Sequence, residues 1–294
     1  MSLLVCFLGT DGLVLATDSR GTFGDPRGVT AQNDLIKKLY IANNRVGILV
    51  AGAGDLGSTV VSGFLGLPNN ASLGVTELTM ALHLYAREQF RDWFERFSIK
   101  PAGGDSRPAR PDLNFIVAGF DLDRQAKIFR LSSSLDFAPM LHNYGFGIDG
   151  IAQYALYLVN RLYDPVATID DLKYLAAYVI TETASQDGKV GGPIQLATIG
   201  AGMPQVLDAG AIEQIVLANG ERSSALKMSF LTNQYKTGIA HRPASFESAL
   251  RTPLEATKPP KPMGVLADRS SATMDSLSTV AEESVERCSR GLAW

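Results

Sequence analysis

The sequence of 294 residues predicts an α+β protein, a four-layer αββα sandwich of two antiparallel sheets flanked by helices. Three observations predict it. Short apolar runs come in pairs joined by tight turns, the pattern of antiparallel hairpins. Candidate helices come in pairs between groups of strands, so the sheets are segregated and antiparallel, with helices outside and sheets inside. The candidate helices at 148–163 and 169–185 are apolar enough to be sandwiched.

The elements follow in order. Residues 3–8 and 13–17 are short strands joined at Asp11-Gly12, a strong hairpin signal. Residues 38–42 and 46–51 form a second hairpin turning at Asn43-Asn44, closed by Ala51-Gly52-Ala53-Gly54. A helix runs from Asp55 to about Leu65, stopped by Pro68. A long amphipathic helix spans 76–97, with Thr76 as its N-cap and Leu78, Leu82, Tyr85, Phe90, Phe94 and Phe97 at helical spacing. The stretch 100–112 is rich in Pro, Gly and Arg and reads as an exposed loop. Strands resume at 115–121, 127–131 and 137–144, and the two apolar helices follow. A strand at 193–199 comes after Gly191-Gly192. This domain extends over 1–240; residues 241–294 form a Pro/Ser/Thr-rich extension, expected to be extended or disordered with a short helix near 276–289.

Composition excludes several classes. The chain is 46% hydrophobic and 19% charged, ordinary for a globular protein. A net charge of -3 gives no basic excess for nucleic acid. Cys6 and Cys288 make no disulfide framework or metal spacing. The apolar start lacks a basic flank and breaks after six residues, so it is no signal peptide. No run approaches the ~20 residues of a membrane span. The expected location is cytoplasmic. His83, His142 and His241 are too scattered for a metal site, and no cofactor is expected. Gly145-Phe146-Gly147-Ile148-Asp149-Gly150 matches a dinucleotide loop only formally, because its surroundings are not a parallel strand–helix–strand unit.

Ser2 directly follows the initiator methionine. With Met1 removed, it carries a hydroxyl nucleophile and a free amine on one residue. Four landmarks then occur in order: Ser2 through Asp18-Ser19-Arg20; Lys38-Leu39-Tyr40 with Val50-Ala51-Gly52-Ala53-Gly54; Ala118-Gly119-Phe120-Asp121; and Asp187 with Gly191-Gly192-Pro193-Ile194. On these the chain resembles the proteasome-type β subunits and their bacterial relatives among the N-terminal-nucleophile hydrolases.

The resemblance implies a chemistry. Ser2, where the proteasome subunits usually carry threonine, attacks a peptide carbonyl. Its α-amine accepts the hydroxyl proton, since such amines titrate near ~7.7–8.0. Lys38 holds the hydroxyl, and Asp18 keeps that lysine charged. Lys37 is the alternative lysine, because adjacent strand residues face opposite sides. Arg20 and Asp187 extend the polar network, and the Gly52 N–H is the oxyanion donor. Val50 and Gly54 flank Gly52 and help shape a specificity pocket that is apolar or undemanding. Two positions depart from the pattern. The family's serine in a Gly-Ser-Gly segment maps to Phe146, and its serine before the Gly-Gly pair maps to Val190; Asp149 and Ser185 are candidates to compensate.

The implied function is a peptidase acting on short or unfolded peptides, assembled as a homo-oligomeric ring or helical stack. Any partner ATPase is left open. A catalytically silent structural subunit and a small-amide hydrolase on the same fold are the alternatives.

Overall fold

A computed structural model describes residues 2–25, 28–96 and 110–231. The expected disorder and short helix of the 241–294 extension, residues 100–109 of the expected loop and Phe97 lie outside the described residues.

One sheet has five strands in the order β10-β1-β2-β11-β12: β1 (Leu3–Leu8), β2 (Gly12–Thr17), β10 (Phe146–Gly150), β11 (Gln195–Gly200) and β12 (Gln205–Val206). The other runs β5-β6-β7-β8-β9: β5 (Leu39–Ile41), β6 (Val46–Gly52), β7 (Leu113–Phe120), β8 (Ala126–Ser132) and β9 (Met140–Leu141). A separate ribbon pairs β3 (Gly21–Asp25) with β4 (Gly28–Asn33). Every recorded pairing is antiparallel.

Strand alternation builds the layers. Leu4, Cys6, Leu13 and Leu15 of the first sheet meet Leu49, Ala51, Ile116 and Ala118 of the second. Their sequence neighbours Leu3, Val5, Phe7, Val14 and Ala16 face the opposite way. They pack against α3 (Ala152–Leu162), α4 (Ile169–Gln186) and α5 (Ala209–Leu231). Val46, Ile48 and Val50 pack against α1 (Gly54–Leu65) and α2 (Val75–Arg91). The four-layer αββα sandwich is therefore realised, and its central strands are apolar on consecutive residues because both faces are covered.

The first two hairpins form as expected, with Arg45 N–H closing the second turn onto Asn43 Oδ1 at 2.9 Å. Four readings are corrected. The helix expected at 148–163 starts at Ala152, because residues 146–150 form β10 and pair with β1. The strand expected at 137–144 shrinks to β9, after a 3-10 turn and two residues, Asp136 and Phe137, at positive φ. Phe137 holds that unfavourable backbone because its ring is buried, edge-on to Phe90 at 4.8 Å. The N-cap of α2 is Gly74, and Thr76 instead bonds Asp121. The long helix ends its α-helical part at Arg91 and continues as a π turn, Asp92–Arg96.

The ribbon β3–β4 and helix α5 carried no sequence signal. The ribbon is polar and glycine-rich. In α5, Ile212, Ile215 and Asn219 are buried while Leu217, Leu226 and Met228 are exposed, so no clean apolar stripe marks it. Among the described residues no helix is long and apolar enough to cross a membrane.

Candidate active site

The site lies where β1 begins. Ser2, 3% exposed, opens into a pocket of about 280 Å³ shared with Lys38, Val50, Gly52 and Gly54. Beneath it, Asp18 is fully buried just past the end of β2. Its Oδ1 accepts from Lys38 Nζ at 2.9 Å and from Leu3 N–H at 3.0 Å. Its Oδ2 accepts from the N–H groups of Arg20 (3.2 Å) and Gly191 (3.1 Å). Four donors satisfy the carboxylate, which ties the lysine to the residue after Ser2. Such a carboxylate tolerates burial only with that set of partners.

Lys38, 4% exposed, also donates to Arg20 O at 2.6 Å. Burial pulls its ammonium below the ordinary lysine range, while Asp18 and, more weakly, Asp34 oppose the fall. Lys37 is exposed at the edge of the same pocket, with Nζ 4.7 Å from the centre of the Tyr40 ring. The backbone that aims Lys38 is fixed by Gln195, whose Oε1 accepts from the Lys38 and Leu39 N–H groups and whose Nε2 donates to Ile36 O.

Arg20 and Asp34 form a bidentate pair at 2.7 and 2.8 Å, and Arg20 reaches on to Gly188 O. This pair holds the 188–191 segment against the end of β2, and its hydrogen bond with Arg20 keeps Asp34 below the usual carboxylate range. Asp187 takes another role. It ends α4, and its carboxylate accepts from Lys189 N–H at 2.9 Å, shaping the turn that leads to Gly191.

Gly52 ends β6 with φ +101, and a Cβ there would sit 2.1 Å from Asp112 O, so only glycine fits. Val50 N–H donates to Lys38 O. Two residues on, the Gly52 N–H lies on that same side of the strand, past the start of β5 and over the pocket. Ile36 bars the pocket. A Cβ added at Gly21 would meet its Cδ1 at 2.2 Å, and one at Gly54 would meet its Cδ1 and Cγ2 at 3.5 and 3.7 Å. It is β-branched, and its backbone is bonded at both N–H and C=O, so it is a stiff wall.

Phe146 does not stand beside Ser2. It pairs with Phe7 at the far end of β1 and packs edge-on against Tyr163. The residues of β10 at the Ser2 end are Asp149 and Gly150, and Ile151 N–H donates to Ser2 O at 2.8 Å. Val190 is fully buried in the core between sheet and helices. Ser185 is spent on Glu182 O at an exposed helix end.

The structure thus brings Ser2, Asp18, Lys38, Arg20 and Gly52 to one place and leaves Asp187 supporting a turn. Asp34 and Gln195 were not assigned a role at this site by sequence, whereas Asp149 was a candidate to compensate for the serines missing around the amine. Asp34 and Gln195 sit in stretches with no catalytic pattern.

The fold is that of the N-terminal-nucleophile hydrolases of the proteasome β-subunit type. Solved structures sharing it include Anbu, the ancestral β-subunit, from Yersinia bercovieri, with 16% identity over 76% of this chain and 95% of that one, TM-score 0.58. A Gly-1 mutant of Anbu from Hyphomicrobium sp. strain MC1 matches with 18% identity over 79% and 97%, TM-score 0.56. A helical assembly of the Anbu complex from Pseudomonas aeruginosa matches with 17% identity over 83% and 99%, TM-score 0.59. No protein-family model and no curated protein sequence matches the chain.

Proposed function

We propose that this chain is a proteasome-β-like peptidase of the cytoplasm whose nucleophile is Ser2, exposed by removal of Met1. The observation that carries the reading is the buried Lys38–Asp18 pair, bonded through Leu3 N–H to the start of β1 at the mouth of the pocket. A buried ion pair is weak evidence for stability and is more simply explained by a task.

In the proposed reaction the Ser2 hydroxyl oxygen attacks the scissile carbonyl carbon, and its proton passes to the α-amine. The Gly52 N–H donates a hydrogen bond to the carbonyl oxygen as it becomes negative. The C–N bond breaks, the amine's proton goes to the leaving nitrogen, and an ester on Ser2 remains. Water gives a proton to the same amine and its oxygen attacks the ester carbon; the bond to Ser2 Oγ breaks, the proton passes from the amine to that oxygen, and the carboxylic acid product leaves. The Lys38 ammonium favours the oxygen as it develops negative charge. Assembly as a homo-oligomer is part of the proposal, supported by the helical assembly of the Pseudomonas aeruginosa Anbu complex.

Turnover of fluorogenic peptides, measured beside oligomer size, tests the reading. Ser2→Ala is expected to abolish turnover and leave assembly intact. Turnover that survives in Ser2→Ala contradicts the mechanism, and a wild-type chain that cleaves no peptide under any condition favours the silent structural subunit.

A further inference from the structure

We propose that Asp149 is a positioning residue for the Ser2 α-amine, and that this chain holds its catalytic base with a carboxylate clamped between the two sheets. The inference rests on Ser2 being the chain's first residue after processing.

Strand geometry places the two groups. In an antiparallel ladder the N–H and C=O of one residue point to the same neighbouring strand. Ser2 O accepts from Ile151 N–H on the β10 side, whereas Leu3 N–H donates to Asp18 on the other. The nitrogen of Ser2 therefore faces β10. Leu4 is the direct partner of Asp149 and faces the space between the sheets, so Asp149 and Ser2, two residues from Leu4, share that face as diagonal neighbours. Gly150 lets the strands close: it has φ +86, and a Cβ there would lie 1.9 Å from Ser2 O.

Asp149 is itself a built group, 5% exposed. Its Oδ2 accepts from Arg130 Nε, and its Oδ1 from Asn114 Nδ2 at 3.3 Å and Gly150 N–H. Asn114 reaches across from β7, where it pairs with Ala51 of the pocket wall. The Asn114 Oδ1 is buried with no donor among the described residues. An acceptor pair in this position suits an amine, which brings two or three N–H donors.

The charged and titratable groups on the elements packed here are Asp18 and Lys38, bonded to the N–H of the residue after Ser2, and Arg130 and His142, which face Asp149. Lys37 and Asp55 stand at the pocket's solvent edge. Asp18 and Lys38 offset each other. Asp149 and Arg130 are also a pair, but the carboxylate is on the strand that the amine faces.

The test is titration of the α-amine in full-length chain prepared to begin at Ser2, read from the pH dependence of its acetylation rate by peptide mass spectrometry. Asp149→Asn is expected to move the amine's titration down by about one pH unit, Asp149→Glu to restore it, and Arg130→Met to move it up. An unchanged titration in folded Asp149→Asn overturns the inference; if that variant fails to fold, an unshifted Arg130→Met overturns it. The titration reads the amine whether or not peptides are cleaved, so a failure of the peptidase reading shows separately, in turnover.

Discussion

Lys38 carries a cost that only its partners offset. Removing it leaves Asp18 buried with three backbone donors and no counter-charge. Lys38→Met is expected to lower unfolding stability by about 3 kcal/mol in chemical denaturation and to remove turnover. Burial places the folded-state pKa of Lys38 below its ordinary value of 10.5. Between those two values the unfolded chain holds the extra proton, so the penalty is fully present below the folded-state value and stability rises as pH climbs through that window. Lys38→Met should flatten that rise. Ile36 makes a separate prediction. Its side chain spans from Gly21 to Gly54, so the pocket should favour small P1 side chains, and Ile36→Ala should shift preference at least tenfold from alanyl toward leucyl substrates in kcat/KM. An unaltered profile would show that this wall does not set specificity. Asp18 and Lys38 were legible because they fall on the ordered landmarks shared with the proteasome-type β subunits. Asp34, Gln195 and Arg130 were not, since their partners lie 14 to 159 residues away and no local pattern records such pairing.

At the scale of elements, Asp121 shows how a tertiary contact starts a helix. It follows β7 and accepts from the Thr76 N–H and hydroxyl at 2.8 Å each, while Lys127 pairs with it. Burial acts to raise its pKa, but the bonds from Lys127 and Thr76 outweigh that and hold it below the ordinary 3.8. Its contribution is thus full above that value and is lost as pH falls through the lower folded-state pKa. Asp121→Ala should cost about 1–2 kcal/mol at neutral pH, and the gap from wild type should close in strong acid. The sequence placed the cap at Thr76 because a cap is sought beside its own helix. The same locality explains the helix expected from residue 148: Ile148 and Ile151 fit a helical spacing, but pairing with β1 makes 146–150 a strand. Short apolar segments are decided by their neighbours in space. A long periodic helix such as α4 needed no such help, and it carries its own box, Thr168 and Asp171 bonding each other's N–H.

At the scale of the molecule, the sandwich aligns strand ends from two sheets around one residue. Ser2 and Asp149 stand on the first sheet, while Lys38 precedes β5, Gly52 ends β6 and Asn114 opens β7 of the second. The layer order was readable from paired hairpins and paired helices; the convergence of five strand ends on Ser2 was not, because register across sheets is set by packing. The whole account rests on Ser2 being a free, reactive N-terminus. The direct measurement is the intact mass and N-terminal sequence of the purified chain, before and after treatment with a peptide epoxyketone, which captures a hydroxyl and its own α-amine together. The account predicts a chain beginning at Ser2 that gains one inhibitor mass on that residue, with no gain in Ser2→Ala. A chain that keeps Met1, or begins at Ser2 and resists a series of such electrophiles, would contradict it.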